Sequence, residues 1–348
     1  MNILEKKDSY KVCGRYTVHD DVLYLAYSAA FVEFKFKGRK AVATIKSEEP
    51  SEEGMNCQIA IFVNDFDVPK KRIKLEGGEH EYVLTDFPKE QECSIRIMRY
   101  SETVYSYCGI VSIDIDGECR NVYPEKSKPK ILFIGDSITC GYGNEGAFGE
   151  VFTTATENPW EAYACLTARK LNADFELLCW SGNGIISHYV DESINEPRND
   201  EPLMPYLYPY ADTVLEDKLG IKTYTLWKNE YKPDIVVVNL GTNDCSYCRG
   251  IEERNEVFKA EYEKFLITLR EDNPNSEIVC MLGIMDDRLN ACVKCVVEKR
   301  KDEKDNRICF LECPMQASED GLGIDYHPTM VTHRKVSELL SNTLKQKM

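Results

Sequence analysis

The sequence predicts a two-part chain: an all-β antiparallel sandwich over residues 1–125, then an α/β domain with a parallel sheet between helical layers over residues 126–348. Three observations predict it. Residues 31–116 alternate apolar and polar side chains with period two, as half-buried strands require. Beyond residue 130, short runs rich in β-branched residues alternate with segments of helical period, the grammar of strands covered on both faces. Between the two stretches lies NVYPEKSKPK, residues 121–130, whose prolines and charges read as a linker.

In the first part, Phe34 and Phe36 interleave with Glu33, Lys35 and Lys37, and Ile59, Ile61 and Val63 follow in step. Ile95 and Ile97 are flanked by Arg96 and Arg99, and Glu53-Gly54, Gly77-Gly78 and Asp116-Gly117 supply turns. No helical stripe of useful length precedes residue 120. In the second part, strands are predicted at 131–135, 175–180, 234–241, 277–284 and 307–312. Phe258, Tyr262, Phe265 and Leu269 share one helix face, and a last helix opens with Thr332 as N-cap and carries Val336, Leu339, Leu340 and Leu344.

Composition bounds the partners. Lys plus Arg number 43 against 59 Asp plus Glu, a net charge of −16 that repels phosphate backbones and anionic lipid, so no nucleic acid and no membrane partner is expected. No apolar run is long enough to span a bilayer, and the charged N-terminus lacks a signal-peptide pattern, which predicts a cytoplasmic protein. The 15 cysteines are an odd number, and in a reducing compartment most should be buried small hydrophobes. A homo-oligomer is left open, since closed oligomers are common among soluble enzymes.

Three strand ends carry unusual chemistry. Gly135-Asp136-Ser137 falls where a buried strand gives way to a turn and helix, which exposes a serine hydroxyl beside free backbone N–H groups. Gly182 and Gly184 flank Asn183 after the next strand, and Gly241-Thr242-Asn243-Asp244 closes the third. His327 stands just before the final helix. Each element alone is ordinary turn or cap vocabulary, and a lone histidine is more often structural. Together they offer a nucleophile, a base and oxyanion donors at the ends of one sheet, the set that acyl transfer needs.

Those four blocks, in that order, resemble the SGNH (GDSL) hydrolases. The longer string Gly-Asp-Ser-Ile-Thr-Cys-Gly-Tyr-Gly-Asn-Glu-Gly after an all-β domain resembles carbohydrate esterase family 2, acetyl esterases of xylan and related glycans. The resemblance implies a flavodoxin-like three-layer SGNH domain preceded by a jelly-roll domain. It implies Ser137 as nucleophile, His327 as general base, and an oxyanion hole of the Ser137 N–H, the Gly182 N–H and the Asn243 amide. Asp325 is the expected orienting residue of His327. It lies two residues before the histidine, where most of the superfamily has three, so orientation by its main-chain carbonyl in place of its side chain is favoured. Asp136 is expected to brace the turn. Tyr326 stands where the family often has Trp, which keeps a ring for sugar stacking but loses the indole donor.

Other features are weighed against this. His188 is near enough in sequence to reach the cleft but matches no family role, and His333 reads as a surface residue. The irregular stretch from Ser187 to Trp227, including PLMPYLYPY, reads as a cleft wall with Tyr189 as a sugar platform, or else as tyrosines packing the insertion or a subunit interface. Gly141, Gly143 and Gly146 match a dinucleotide fingerprint, but the strand end is already taken by Gly135-Asp136-Ser137. Cys245/Cys248 and Cys292/Cys295 form two C-x-x-C pairs whose separation is far longer than in a zinc ribbon. Hence no metal and no cofactor is expected. The expected activity is removal of O-acetyl groups from xylan-type or related oligosaccharides. The competing readings are a serine esterase for another short acyl ester, and a carbohydrate-binding protein with a vestigial hydrolase site.

Overall fold

The structure is a computed structural model, and it describes residues 1–6, 8–122, 128–227 and 231–348. The chain divides into two compact units. The first holds Met1–Ser127 together with Thr153–Glu157 and Tyr210–Leu226; the second holds Lys128–Phe152, Asn158–Pro209 and Trp227–Met348. Residues 123–127 of the predicted linker lie outside the described residues. Two segments expected in the second domain thus pack within the first, for local reasons. Thr154 Oγ1 donates to the Asn56 carbonyl at 2.6 Å, Arg15 donates to the Tyr210 carbonyl, and Thr17 Oγ1 donates to Glu216 at 3.2 Å.

The first unit is antiparallel. Its strands are β1 (Tyr10–Cys13), β2 (Tyr16–His19), β3 (Val22–Leu25), β4 (Phe31–Ser47), β5 (Gln58–Val63), β6 (Lys71–Lys74), β7 (Gly78–Arg99), β8 (Cys108–Ile115) and β9 (Glu118–Arg120). They form one sheet in the order β2-β3-β8-β4-β7-β5-β6, with β1 and β9 also pairing β4. The antiparallel β domain expected over the first part of the chain is thus present. In it β4 and β7 pair along nearly their whole length, past irregularities between Gly38 and Lys40 and between Ala41 and Val42. The period-two pattern supplies the core: Phe34, Phe36, Ile59, Ile61, Ile95 and Ile97 are all buried in one cluster.

The second unit is a parallel sheet in the order β11-β10-β12-β13-β14, formed by β10 (Lys130–Gly135), β11 (Asp174–Cys179), β12 (Ile235–Asn239), β13 (Glu277–Ile284) and β14 (Ile308–Met315). All five correspond to predicted runs. Strand order reverses at β10, so the crevice for ligands is expected at the carboxyl ends beside it. The helices of this unit are α1 (Ser137–Cys140), α2 (Tyr163–Lys170), α3 (Met204–Leu207), α5 (Thr242–Cys248), α6 (Glu252–Asp272), α7 (Asn290–Asp302) and α8 (Met330–Lys345), while α4 (Thr213–Lys218) lies in the first. Helix α2 packs on α8, and α6 on α7. Phe258, Tyr262, Phe265 and Leu269 are buried along α6, as their spacing requires. Helix α8 starts earlier than predicted: Thr329 is its N-cap residue, and Thr332 sits buried in its first turn. Among the described residues, no helix is long and apolar enough to cross a membrane.

Candidate active site

Ser137 opens α1 directly after β10, with 7% of its surface exposed. Asp136 is the N-cap: its Oδ1 accepts from Ile138 N at 3.0 Å, and its own carbonyl accepts from Thr139 and Cys140. This holds the hydroxyl at the end of the strand. His327 arrives from the loop before α8, and its Nε2 lies 2.7 Å from Ser137 Oγ. Its Nδ1 is 3.0 Å from the Ile324 carbonyl. A carbonyl can only accept, so Nδ1 carries the proton and the Nε2 lone pair faces the serine. Burial pushes the pKa of His327 below the ordinary value, and the Ile324 carbonyl and Asp325 pull it partly back.

Asp325, the expected orienting residue, has another partner. Its Oδ2 accepts from the Tyr142 hydroxyl at 2.9 Å. The carbonyl that faces Nδ1 is that of Ile324, one residue earlier. The reason is local backbone: Asp325 and Tyr326 both have positive φ (50° and 63°), and this left-handed pair turns the Asp325 side chain toward Tyr142. The Tyr142 ring stacks on Phe152, with centroids 3.8 Å apart, and lies 4.6 Å from the His327 ring. Two glycines of the apparent dinucleotide fingerprint, Gly143 and Gly146, face this loop. A Cβ at Gly143, whose φ is 57°, would stand 2.7 Å from Ile324 Cβ, so the turn approaches Ile324 there only without a side chain, and one at Gly146 would press the tip of the Ile324 side chain at 2.4 Å.

Gly182 follows β11 with φ of 76°, and a Cβ there would meet nothing closer than the His188 ring at 4.0 Å. Asn243, in the first turn of α5, donates from Nδ2 to the Asn183 carbonyl at 2.8 Å and stands 3.4 Å from Asp136 Oδ2. Ser137, His327, Asn243 and the Gly182–Asn183 loop therefore converge where the strand order reverses. His188 Nε2 lies 3.3 Å from the Pro202 carbonyl.

A model of the GDSL-like Lipase/Acylhydrolase family matches residues 133–308, about half of the chain. The chain belongs to this family. The carbohydrate esterase 2 N-terminal model matches residues 12–122, which places the chain in carbohydrate esterase family 2. The chain is 32% identical over 344 residues to cellulase/esterase CelE of Acetivibrio thermocellus, covering 93% of this chain and 37% of that protein. It thus spans little more than a third of that relative. It is 27% identical over 341 residues to an acetylxylan esterase / glucomannan deacetylase of Cellvibrio japonicus, covering 97% and 88% respectively. The solved structure of a family two carbohydrate esterase from Clostridium thermocellum in complex with cellohexaose superposes with a TM-score of 0.83 at 29% identity, covering 97% of this chain and 98% of that one.

Around this GDSL site, other sequence expectations fare differently. Tyr326 is exposed beside His327, its ring centroid 4.6 Å from that of exposed Phe148. Tyr189 is exposed too, and its N–H donates to the Gly182 carbonyl at 2.9 Å. The stretch from Ser187 to Trp227 is not one wall. Met204, Leu207 and Tyr208 are buried, Tyr208 accepting from Asn273 at 3.1 Å, and residues 210–226 belong to the first unit. His333 is not at the surface but 1% exposed, because its Nδ1 accepts from Tyr163 N at 3.1 Å and so caps the start of α2. Cys295 is exposed, and among the described residues the four sulfurs of the two C-x-x-C pairs do not gather closely enough to share one ion. The favoured backbone carbonyl is present but comes from Ile324 and not from Asp325, whereas Tyr142 and buried Asp244 carry no role in the sequence reading. Only Asp244 left a trace there, as an acidic residue next to Asn243 in a helix's first turn.

Proposed function

We propose that this chain is a serine esterase that removes O-acetyl groups from acetylated xylan-type or related polysaccharides and oligosaccharides through an acetyl-enzyme. The observation that carries the proposal is the 2.7 Å approach of His327 Nε2, as lone pair, to Ser137 Oγ. Likeness to an acetylxylan esterase / glucomannan deacetylase supports the substrate class. In this scheme Ser137 Oγ attacks the acetyl carbonyl carbon as its proton passes to His327 Nε2. The carbonyl oxygen becomes an oxyanion held by the Ser137 and Gly182 N–H groups and the Asn243 amide, each worth roughly 3 kcal/mol in comparable chemistry. Collapse breaks the ester C–O bond, and His327 returns the proton to the departing sugar oxygen. Water, deprotonated by the same histidine, then releases acetate. Tyr326 and Tyr189 are the proposed sugar contacts.

Turnover of p-nitrophenyl acetate and of acetylated xylo-oligosaccharides tests this. Ser137→Ala should lower kcat by about 10³-fold or more with melting unchanged. A fluorophosphonate should label Ser137; labelling of another serine would refute the assignment. The second reading, carbohydrate binding through the same cleft, is favoured by a relative's structure holding cellohexaose. It predicts full-affinity oligosaccharide binding by a wild-type protein without esterase activity.

A further inference from the structure

Three side chains at the start of α5 grip the loop that follows β11. Asn243 donates to the Asn183 carbonyl at 2.8 Å, and Ser246 Oγ accepts from Val190 N at 3.0 Å. Between them, Asp244 takes three successive amides. Its Oδ1 accepts from Ile185 at 3.0 Å, Ile186 at 2.7 Å and Ser187 at 3.1 Å, and Oδ2 lies 3.0 Å from Ile185 N as well. Successive N–H groups aimed at one anion form a nest, here filled by a side chain of the same protein. Asp244 is fully buried. Gly184 makes room for it: a Cβ there would stand 2.7 Å and 2.8 Å from the two carboxylate oxygens.

We propose that Asp244 is the positioning residue of the oxyanion hole, its carboxylate fixing the loop that presents the Gly182 N–H and the Asn183 carbonyl. The inference rests on the proposed esterase function, in which Gly182 and Asn243 stabilise the oxyanion. It adds a cause for their placement. The Asn183 carbonyl takes one hydrogen of the Asn243 amide at 2.8 Å and the Asp136 carboxylate takes the other over a longer 3.4 Å, so the loop and the serine's own turn together fix where that amide stands. If the loop slackens, the Gly182 amide loses its aim and the Asn243 amide loses its shorter anchor. Asp244 touches neither substrate nor the reacting atoms in this scheme. Its pKa is raised to about 6 by burial against the pull of the amides, so it is charged at neutral pH.

The test is Asp244→Asn, which preserves size but replaces the anion, compared with Ser137→Ala in the full chain. On p-nitrophenyl acetate, kcat should fall about 10- to 100-fold, the scale of an ångström-level misplacement, while KM stays within about threefold. Melting temperature and far-UV dichroism should be retained. Unchanged kcat in Asp244→Asn beside an inactive Ser137→Ala, or a rise in KM alone, overturns the inference and leaves the esterase reading standing. An active Ser137→Ala overturns the esterase reading itself. Should Asp244→Asn not fold, hydrogen exchange on the wild type decides: amides of Ile185, Ile186 and Ser187 protected as well as β12 support the nest, and free exchange there overturns it.

Discussion

The Tyr142 hydroxyl donates to the Asp325 carboxylate over 2.9 Å while the Tyr142 ring lies 4.6 Å from that of His327. One tyrosine thus steadies both sides of the turn that delivers the Ile324 carbonyl to Nδ1. The carboxylate is a tether of that turn, and its negative charge reaches His327 only through space. Losing a carboxylate bonded directly to a catalytic histidine can cost about 10⁴-fold, through the wrong tautomer. Asp325→Asn leaves the carbonyl in place, and Asn tolerates the left-handed backbone, so its kcat should fall by no more than roughly tenfold. Tyr142→Phe keeps the stacking on Phe152 and should give a loss of the same order. A collapse of Asp325→Asn to the level of Ser137→Ala would show that the side chain orients the ring during turnover.

The acid limb of activity follows from the same histidine. The proposed base acts neutral, so activity is full above its pKa and lost as pH falls through it. Burial holds that pKa below the ordinary value, and half-maximal kcat/KM should therefore lie below about pH 6.5. Asp325 pulls the value upward, so the acid limb of Asp325→Asn should move to still lower pH. A midpoint above 6.5 in the wild type would contradict the buried, carbonyl-bonded ring.

What was legible in the sequence was what periodicity and turn chemistry encode locally. The five parallel strands and the α6 stripe follow from side-chain spacing, and Gly135-Asp136-Ser137 and Asn243 were found because strand ends are marked by turn residues. What was not legible depends on contacts between distant segments. His333 looks like any polar residue early in a helix, yet Tyr163 N, far away in sequence, needs its acceptor. Which carbonyl faces His327 is set by two left-handed residues that no composition betrays. The pairing of β4 with β7 along almost their whole length joins residues far apart in the chain, and alternation alone does not say which strand pairs with which.

His333 gives a stability prediction. Burial, with a smaller contribution from His327, lowers its pKa to about 3 in the folded protein, against about 6.5 in the unfolded chain. Between those values the unfolded state holds a proton that the folded state does not. This residue's contribution to stability is therefore complete above pH 6.5 and declines as pH falls toward 3, by about 1.4 kcal/mol per pH unit where the difference is a full proton. His333→Asn keeps an acceptor near Tyr163 N and removes the titration. Denaturant unfolding from pH 7 to pH 4.5 should show a shallower acid loss in the variant; parallel curves would mean that His333 is protonated in the native state.

The carbohydrate contact proposed for Tyr326 and Tyr189 is separable by experiment from the chemistry. Both rings are exposed, and each is anchored to a segment of the proposed active site: Tyr326 adjoins His327, and Tyr189 N bonds the Gly182 carbonyl. Tyr326 also leans on Phe148, which widens the apolar face it offers. A sugar ring stacked there gains contact in the ground state and the transition state alike, so its loss should appear in KM rather than kcat. Tyr326→Ala should raise KM for an acetylated xylo-oligosaccharide roughly three- to tenfold, matching the ~0.5–1.5 kcal/mol of an aromatic stacking contact. Tyr189→Ala should act in the same direction. Neither change should move kcat/KM for p-nitrophenyl acetate by more than about threefold, since that ester carries no sugar to stack. If Tyr326→Ala impairs both esters equally, its ring serves the left-handed turn behind His327 and not the substrate. If neither variant alters the oligosaccharide KM, the sugar is held elsewhere on the rim of the cleft.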